Sequence, residues 1–376
     1  MLFGCKKKRA DPQAELSLIP DAPLDSLTIL IPFKGEASQL AALLSYFSTM
    51  EVHYPVMLLL SGNRATCLPG EYPNLNLQVF EFSEDTPFFS KLREGIKQLK
   101  TPLVAMCAAD DVSLSDAIKK AGGFLWQNPE YSACHGYNVK FSEEAEAIKL
   151  LRIDNFTPSI DADDPLMRLN ALMRRYQPVC WAVFRTQTMQ AISDNFTPDL
   201  NFMFNEFLWS GIAALTGKIK RLPMIYCLRR KDTLHLMGHP LYAMLESPQK
   251  FFSEYLAYRD KLLAFLRPAS TLDQTSLERT VDLIHACHFS REMLPSTFNY
   301  FTDHVLANPT TSIHDPAINA PMISQPSPGK CAKEIRRDHR VYRAFPAFLN
   351  PEPIAEIHLP RNFVRKLIGD IKPYFG

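Results

Sequence analysis

No CxxC pair occurs among the eight cysteines, at positions 5, 67, 107, 134, 180, 227, 287 and 331, so the ligand spacing of a structural zinc site is missing. Cys107, Cys180 and Cys227 instead lie inside apolar, strand-like runs, where cysteine behaves as a small hydrophobe. That usage fits a reducing, cytoplasmic setting better than a disulfide scaffold. No apolar run approaches the roughly 20 residues that span a bilayer. The opening Met1–Arg9 lacks the apolar stretch of a secretory signal. Its Leu2–Phe3–Gly4–Cys5 superficially suggests a lipidation site, and the basic Lys6–Arg9 that follow can touch anionic lipid. The expectation for residues 1–25 is a flexible, solvated lead-in. An excess of one charge sign is also lacking: 41 Lys and Arg stand against 40 Asp and Glu, so no overall field draws the chain to nucleic acid or membrane. Base-reading and phosphate-stripe features of a nucleic-acid binder are absent, as is any internal repeat.

What is present is an ordinary globular composition, 46% hydrophobic and 22% charged over 376 residues, long enough for a large core and more than one average domain. Leu27–Pro32 reads as a short buried strand stopped by Pro32. Leu40, Leu43, Leu44 and Phe47 then share one face of a helix. Val56–Leu60 is a second buried strand, Leu77–Phe82 an alternating third, and Leu92, Ile96 and Leu99 stripe a further helix before the strand Leu103–Cys107. Strands alternating with helices predict an α/β fold with a mainly parallel sheet. Ser113 is placed to cap the next helix, whose inner face carries Ile118, Ala121 and Leu125. Tyr131–Val139, Val179–Phe184 and Ile219–Leu228 read as later strands, the last interrupted by Pro223. Leu166–Met173 and Phe202–Leu215 read as helices, the second closed by Gly217 as a left-handed stop. Two or three amphipathic helices are expected over 241–306. Five prolines within 308–330 mark a linker, and Asn362–Tyr374 suits a basic amphipathic helix that docks on the core or lies on a membrane surface.

The chemistry gathers at Asp110–Asp111, directly after the Leu103–Cys107 run. A buried strand ending in adjacent carboxylates puts two negative charges at the carboxyl edge of a sheet, where ligands bind in open α/β folds. Hard oxygen ligands there suit Mg²⁺ or Mn²⁺, and such an ion commonly carries substrate phosphates. The alternative is a surface turn whose acids cap the following helix.

Several segments, in order, resemble the family 2-like nucleotide-sugar glycosyltransferases of the GT-A fold. They are the first strand with Pro32, the Lys91–Lys100 helix leading into Thr101–Val104, Asp110–Asp111, Asn128–Ser132 and Arg175–Pro178. The last two also resemble a bacterial surface-polysaccharide subfamily. The resemblance covers roughly residues 27–235 and implies a Rossmann-like GT-A domain over 26–240. The divisions expected around it are a tail over 1–25, a helical region over 241–306, and a Pro-rich linker with a basic amphipathic segment over 307–376. It further implies an inverting transfer from a nucleotide-diphosphate sugar to a glycan or glycoconjugate, with Mn²⁺ or Mg²⁺ neutralising the departing diphosphate and a carboxylate taking the acceptor proton.

Carried onto this sequence, the resemblance implies Asp111 as metal ligand and Asp110 as a contact to the ribose or the ion's water shell. Ala109 stands where many members carry a further acid. Glu206, at the start of an apolar helix that precedes Gly217–Lys218–Ile219, takes the role of general base, with Asp199 in reserve. His235 is the second metal candidate, with His239 near it. Arg229, followed by Arg230 and Lys231, is a diphosphate clamp. Pro32, Lys34 and Glu36 line the nucleotide site, Asn63 substitutes for the usual acid after strand two, and Asp85 and Lys91 help position the donor. Tyr176 and Trp181 are candidates for stacking on an acceptor sugar. Two other readings compete: a non-catalytic GT-A-like module that binds nucleotide sugar or glycan, and, third, a sugar-phosphate nucleotidyltransferase, for which Ile31–Glu36 is too poor in Gly and Arg. The expected location is cytoplasmic, with peripheral contact to the inner membrane face open through either basic terminus.

Overall fold

The computed structural model describes residues 16–35, 37–49, 54–62, 72–144, 147–155, 158–174, 176–198, 200–230 and 247–289. Among them, nine strands form one sheet and eight α-helices flank it. The order along the chain is β1 (Leu27–Phe33), α1 (Ala37–Ser48), β2 (Val56–Ser61), β3 (Leu77–Phe82), α2 (Phe88–Lys97), β4 (Leu103–Met106), β5 (Val112–Ser113), α3 (Ser115–Gln127) and β6 (Tyr131–Glu144). Then come β7 (Ala147–Asn155), α4 (Pro165–Arg174), β8 (Val183–Arg185), α5 (Thr186–Asn195), α6 (Phe202–Thr216), β9 (Lys218–Arg230), α7 (Pro248–Leu266) and α8 (Gln274–His288).

The sheet runs β3-β2-β1-β4-β8-β6-β9-β5, with β7 on β6. Its first four strands are parallel, and the later half is mixed: β8 is antiparallel to both β4 and β6, while β6 and β9 run parallel. Period-two alternation divides the parallel strands between two apolar layers. Ile29, Ile31, Leu58, Leu60 and Ala105 face one core with α1 and α3, while Leu30, Met57, Leu59, Val104 and Met106 face the other with α2 and α4 to α8. The chain steps outward from β1 to β3 and then crosses back to β4 on the far side of β1. The carboxyl ends of β1 and β4 are therefore a topological switch point, the place where a crevice opens in such sheets.

Several local readings of the sequence change. Ser113 lies in β5 and caps nothing: α3 begins at Ser115 with Leu114 before it and no side-chain cap. Gly217 is extended, at φ −176°, so the left-handed stop is absent. It is small because a Cβ there would fall 2.7 Å from the backbone nitrogen of Ser132. Pro223 does not end β9, which runs from Lys218 to Arg230, but it does interrupt the ladder: the pairing with β6 jumps from His135 opposite Arg221 to Tyr137 opposite Ile225. The strand expected over Val179–Phe184 shortens to β8.

Residues 19–22, read as part of the lead-in, form a strap across α3. Ile19 and Ala22 are buried, Lys120 donates to the carbonyl of Ile19 and Tyr54 to that of Ala22. Gly123 admits this strap, since a Cβ there would lie 1.8 Å from the carbonyl oxygen of Pro20. We expect Gly123→Ala to cost about 3 kcal/mol, the upper range for overpacking, because backbone rather than a mobile side chain must yield. Urea unfolding measures it, and an unchanged midpoint would show that the strap does not dock.

The expected basic helix at Asn362–Tyr374 lies outside the described residues. No helix among the described residues is long and apolar enough to cross a membrane. Cys107, Cys134, Cys180 and Cys227 are buried free thiols, and burial pushes each thiol up. Cysteine as core hydrophobe fits that environment.

Candidate active site

Asp110 and Asp111 follow β4 at the switch point. β5 then pairs antiparallel with β9, Val112 opposite Leu228 and Ser113 opposite Cys227. This short ladder brings the end of β9 alongside Asp111. The Asp111 carboxylate is only 3% exposed. Its Oδ2 accepts from Arg229 Nε at 3.3 Å and its Oδ1 from the Arg230 amide at 3.2 Å. Burial and the neighbouring Asp110 raise its pKa to about 7, against the opposing pull of Arg229. Asp110 is half-buried.

Glu206 arrives from the other core layer. Asn201 caps α6 by accepting from the Phe204 amide at 2.9 Å. The buried Asn205 amide group donates to the carbonyls of Thr197 and Leu200, and its oxygen accepts from the Thr197 amide. These bonds fix the start of the helix, so Glu206 projects from a rigid turn. The side chain is half-buried and its Oε1 accepts from Tyr176 Oη at 3.3 Å. Burial raises its pKa to about 7, opposed by the Tyr176 hydrogen bond and by the positive field of Arg229. Arg229 therefore acts on both carboxyl groups: it bonds Asp111 directly and reaches Glu206 through its charge.

A second cation lies over the ends of β1 and β2. Lys91, 2% exposed on α2, donates from Nζ to the carbonyl of Phe33 at 3.0 Å and to Ser61 Oγ at 2.8 Å. Burial, with Lys34 nearby, lowers its pKa to about 8. Lys34 is exposed and donates to the carbonyl of Glu84. Asp85 is exposed in the adjoining turn, and Pro32 is buried within β1.

The structure thus brings Asp110, Asp111, Arg229 and Glu206 together, and sets Lys91, Lys34 and Asp85 on the β1–β3 side. Glu36, Asn63, Asp199, His235 and His239 lie outside the described residues. Trp181 is half-buried against the apolar layer behind the sheet. Tyr176 contacts the edge of Phe207 and stands within 3.3 Å of Glu206, a place that serves the carboxylate directly. Asn205 and Ser210 escape notice in the sequence because each is one polar residue inside an apolar helix; only their buried partners reveal them.

Among the described residues, no group of three or more His, Cys, Asp or Glu is arranged to hold an ion. The pair Asp110–Asp111 nevertheless suits one kind of ion. Mg²⁺ commonly binds through one or two carboxylates, completing its shell with water and substrate phosphates. Asp111 retains acceptor capacity beyond the two hydrogen bonds it receives, and Asp110 adds a second hard oxygen donor. The donor set fits an ion that comes with a diphosphate, not an all-protein cage.

No protein-family model and no curated protein matches the sequence. Among solved structures, residues 1–349 of S. aureus TarS in complex with UDP-GlcNAc are similar to this chain at 14% identity and a TM-score of 0.51, over 74% of this chain and 76% of that one. The same TarS segment in complex with UDP is similar at 14% identity and a TM-score of 0.48, over 93% and 89%. The mannosyltransferase PcManGT from Pyrobaculum calidifontis, in complex with GDP-Man and Mn²⁺, has 14% identity and a TM-score of 0.38, over 79% and 86%. The likeness to TarS is one of fold: an α/β, GT-A-like mixed sheet, parallel through its first half and flanked by helices.

Proposed function

We propose that this chain is an inverting glycosyltransferase that moves a sugar from a nucleotide-diphosphate donor to a glycan or glycoconjugate. The observation that carries this reading is Arg229 acting on two carboxyl groups, the buried Asp111 and the half-buried Glu206, at the switch point of the sheet. One carboxylate suits a leaving group's counter-ion and the other suits proton transfer near neutral pH. The fold shared with TarS, solved with UDP-GlcNAc, supports a nucleotide sugar as donor.

In this reading the nucleotide lies over the ends of β1 and β2, near Pro32, Lys34, Glu36, Asn63 and Asp85, with the diphosphate running toward Asp110. Lys91 and Arg229 supply positive charge to the phosphates. Asp110 and Asp111, with His235 as a further ligand, would hold Mn²⁺ or Mg²⁺, which when bound neutralises charge on the departing diphosphate. Glu206 takes the proton of the acceptor hydroxyl as that oxygen bonds to the anomeric carbon. The bond from that carbon to the diphosphate breaks on the opposite face, so configuration inverts. The catalytic unit spans 26–240, and a bacterial surface glycan is the product class.

The test is thermal melting with UDP, GDP, CDP and dTDP, each with and without Mn²⁺. A ligand at 100 times its dissociation constant adds about 2.7 kcal/mol to stability, a clear shift in melting temperature. One nucleotide should shift the melt, with Mn²⁺ enhancing the shift and Asp111→Ala removing the enhancement. No shift with any nucleotide would leave the proposal without its donor. Binding without turnover would favour a non-catalytic nucleotide-sugar module.

A further inference from the structure

We propose that Tyr176 and Ser210 are positioning residues, forming with the Val179 amide a one-way hydrogen-bond relay that ends on one oxygen of Glu206 and leaves the other for substrate. This deepens the reading of Glu206 as the base and rests on it. The direction follows from valence. An ionised carboxylate only accepts, so Tyr176 Oη donates its single proton to Glu206 Oε1, 3.3 Å away. Ser210 Oγ, 3.3 Å from Tyr176 Oη, must then donate to the phenol oxygen. Ser210 in turn accepts from the Val179 amide at 3.1 Å. Each member donates toward the carboxylate, and such a chain polarises cooperatively. Both 3.3 Å links exceed an ideal O–H···O separation, which leaves them room to tighten as a substrate closes the site.

Packing fixes the relay in place. Ser210 sits on α6 one turn after Glu206 and is fully buried. The Tyr176 ring meets the edge of Phe207 at 4.5 Å and His288 of α8 at 5.5 Å between ring centroids. Phe207 in turn packs on Tyr258 of α7 and on His288. The C-terminal helix pair thus forms the wall behind Tyr176, which gives α7 and α8 a role in the site although neither contributes to the sheet. The titratable and charged groups facing this unit are Arg229 from β9, Cys180 before β8, Tyr258 from α7 and His288 from α8. Burial and the Glu206 charge hold the Tyr176 phenol well above its usual range, so it stays a donor through neutral pH.

The experiment reads Glu206 directly. The carboxyl is followed by ¹³C NMR in Glu-labelled full-length protein, its resonance identified by loss in Glu206→Gln, alongside the pH profile of sugar transfer. Removing a hydrogen bond to the charged form raises the pKa, so Tyr176→Phe should move Glu206 from about 7 toward 8. Transfer at pH 7 should then fall roughly fivefold and recover by pH 9, with Ser210→Ala giving a smaller change of the same sign. An unmoved Glu206 titration in Tyr176→Phe, or an equal loss of rate at every pH, would overturn the relay even if Glu206→Gln abolishes transfer. If instead Tyr176→Phe moves the titration while Glu206→Gln still turns over, the hydrogen bond stands but the base assignment, and the relay's role in catalysis with it, fails.

Discussion

Glu206→Gln should abolish transfer, leave donor affinity nearly unchanged, and make the protein more stable above neutral pH. A positioned general base contributes typically 10²–10⁴-fold, and the amide cannot accept the acceptor proton, so kcat should fall by about that factor. In the proposed binding mode the donor lies on the other side of Arg229, near Asp110, Asp111 and Lys91, so its dissociation constant should change less than about threefold. The stability gain comes from burial. Glu206 takes up its last proton near pH 7 in the folded protein, well above the ordinary glutamate range, with desolvation as the chief cause. Between that range and pH 7 the folded state binds more protons than the unfolded chain, so this group's contribution falls as pH rises. Glutamine carries no such penalty. The variant should match the parent near pH 4, diverge upward to pH 7, and hold its advantage beyond. Because Glu206 is only half-buried, solvent screening reduces the gain to about 1–2 kcal/mol. Urea titrations at pH 4.5 and 8 measure it. A variant that turns over normally would remove Glu206 from the chemistry, whereas a variant that is less stable at pH 8 would show the carboxylate to be structurally favoured.

The parallel half of the sheet was legible because it obeys one simple rule. Buried strands such as Leu27–Phe33 and Val56–Ser61 are continuous apolar runs, and the helices between them carry a 3.6-residue stripe. Asp111 and Glu206 could be singled out for the same reason, as acids beside long apolar segments. The rest depends on partners distant in sequence. β5 is two residues long and exists only because β9 lies beside it. β7 gains its definition from pairing with β6 across register shifts. The helix α5 is polar enough, with Thr186, Gln187, Thr188 and Gln190 in its opening turns, to hide its period. Gly217 looks like a helix stop until Ser132 is placed against it. Asp111 and Glu206 both feel the charge of Arg229, yet three helices and four strands separate the two carboxyl groups in sequence, and no spacing rule encodes that meeting.

Arg229→Gln should damage stability and donor binding together, and the two effects separate in a double mutant. Arg229 is the cation bonded to Asp111, a carboxylate 3% exposed. Removing one partner of a buried ion pair costs about 3–5 kcal/mol when the other charge is stranded. Here the Arg230 amide still caps Oδ1, and a carboxyl whose pKa is about 7 escapes part of the penalty by taking up a proton, so a loss of about 1–2 kcal/mol is expected at pH 8. Asp111→Asn on the same background removes the stranded charge and should restore most of that loss. The two positions are in contact, so their effects should be strongly non-additive, with a coupling of about 1–3 kcal/mol. Donor binding should behave otherwise. A charge-assisted hydrogen bond to phosphate contributes about 1.5–3 kcal/mol, so Arg229→Gln should weaken nucleoside-diphosphate affinity by roughly 10- to 100-fold. Asp111→Asn cannot return a missing guanidinium, and affinity should stay low in the double mutant. Urea unfolding and calorimetric titration of the four proteins, in chelator-treated buffer, supply the whole cycle. Additive losses of stability would mean that Asp111 does not depend on Arg229. Unimpaired affinity in Arg229→Gln would assign the diphosphate's countercharge to Lys91 instead, whose buried ammonium is held at the ends of β1 and β2.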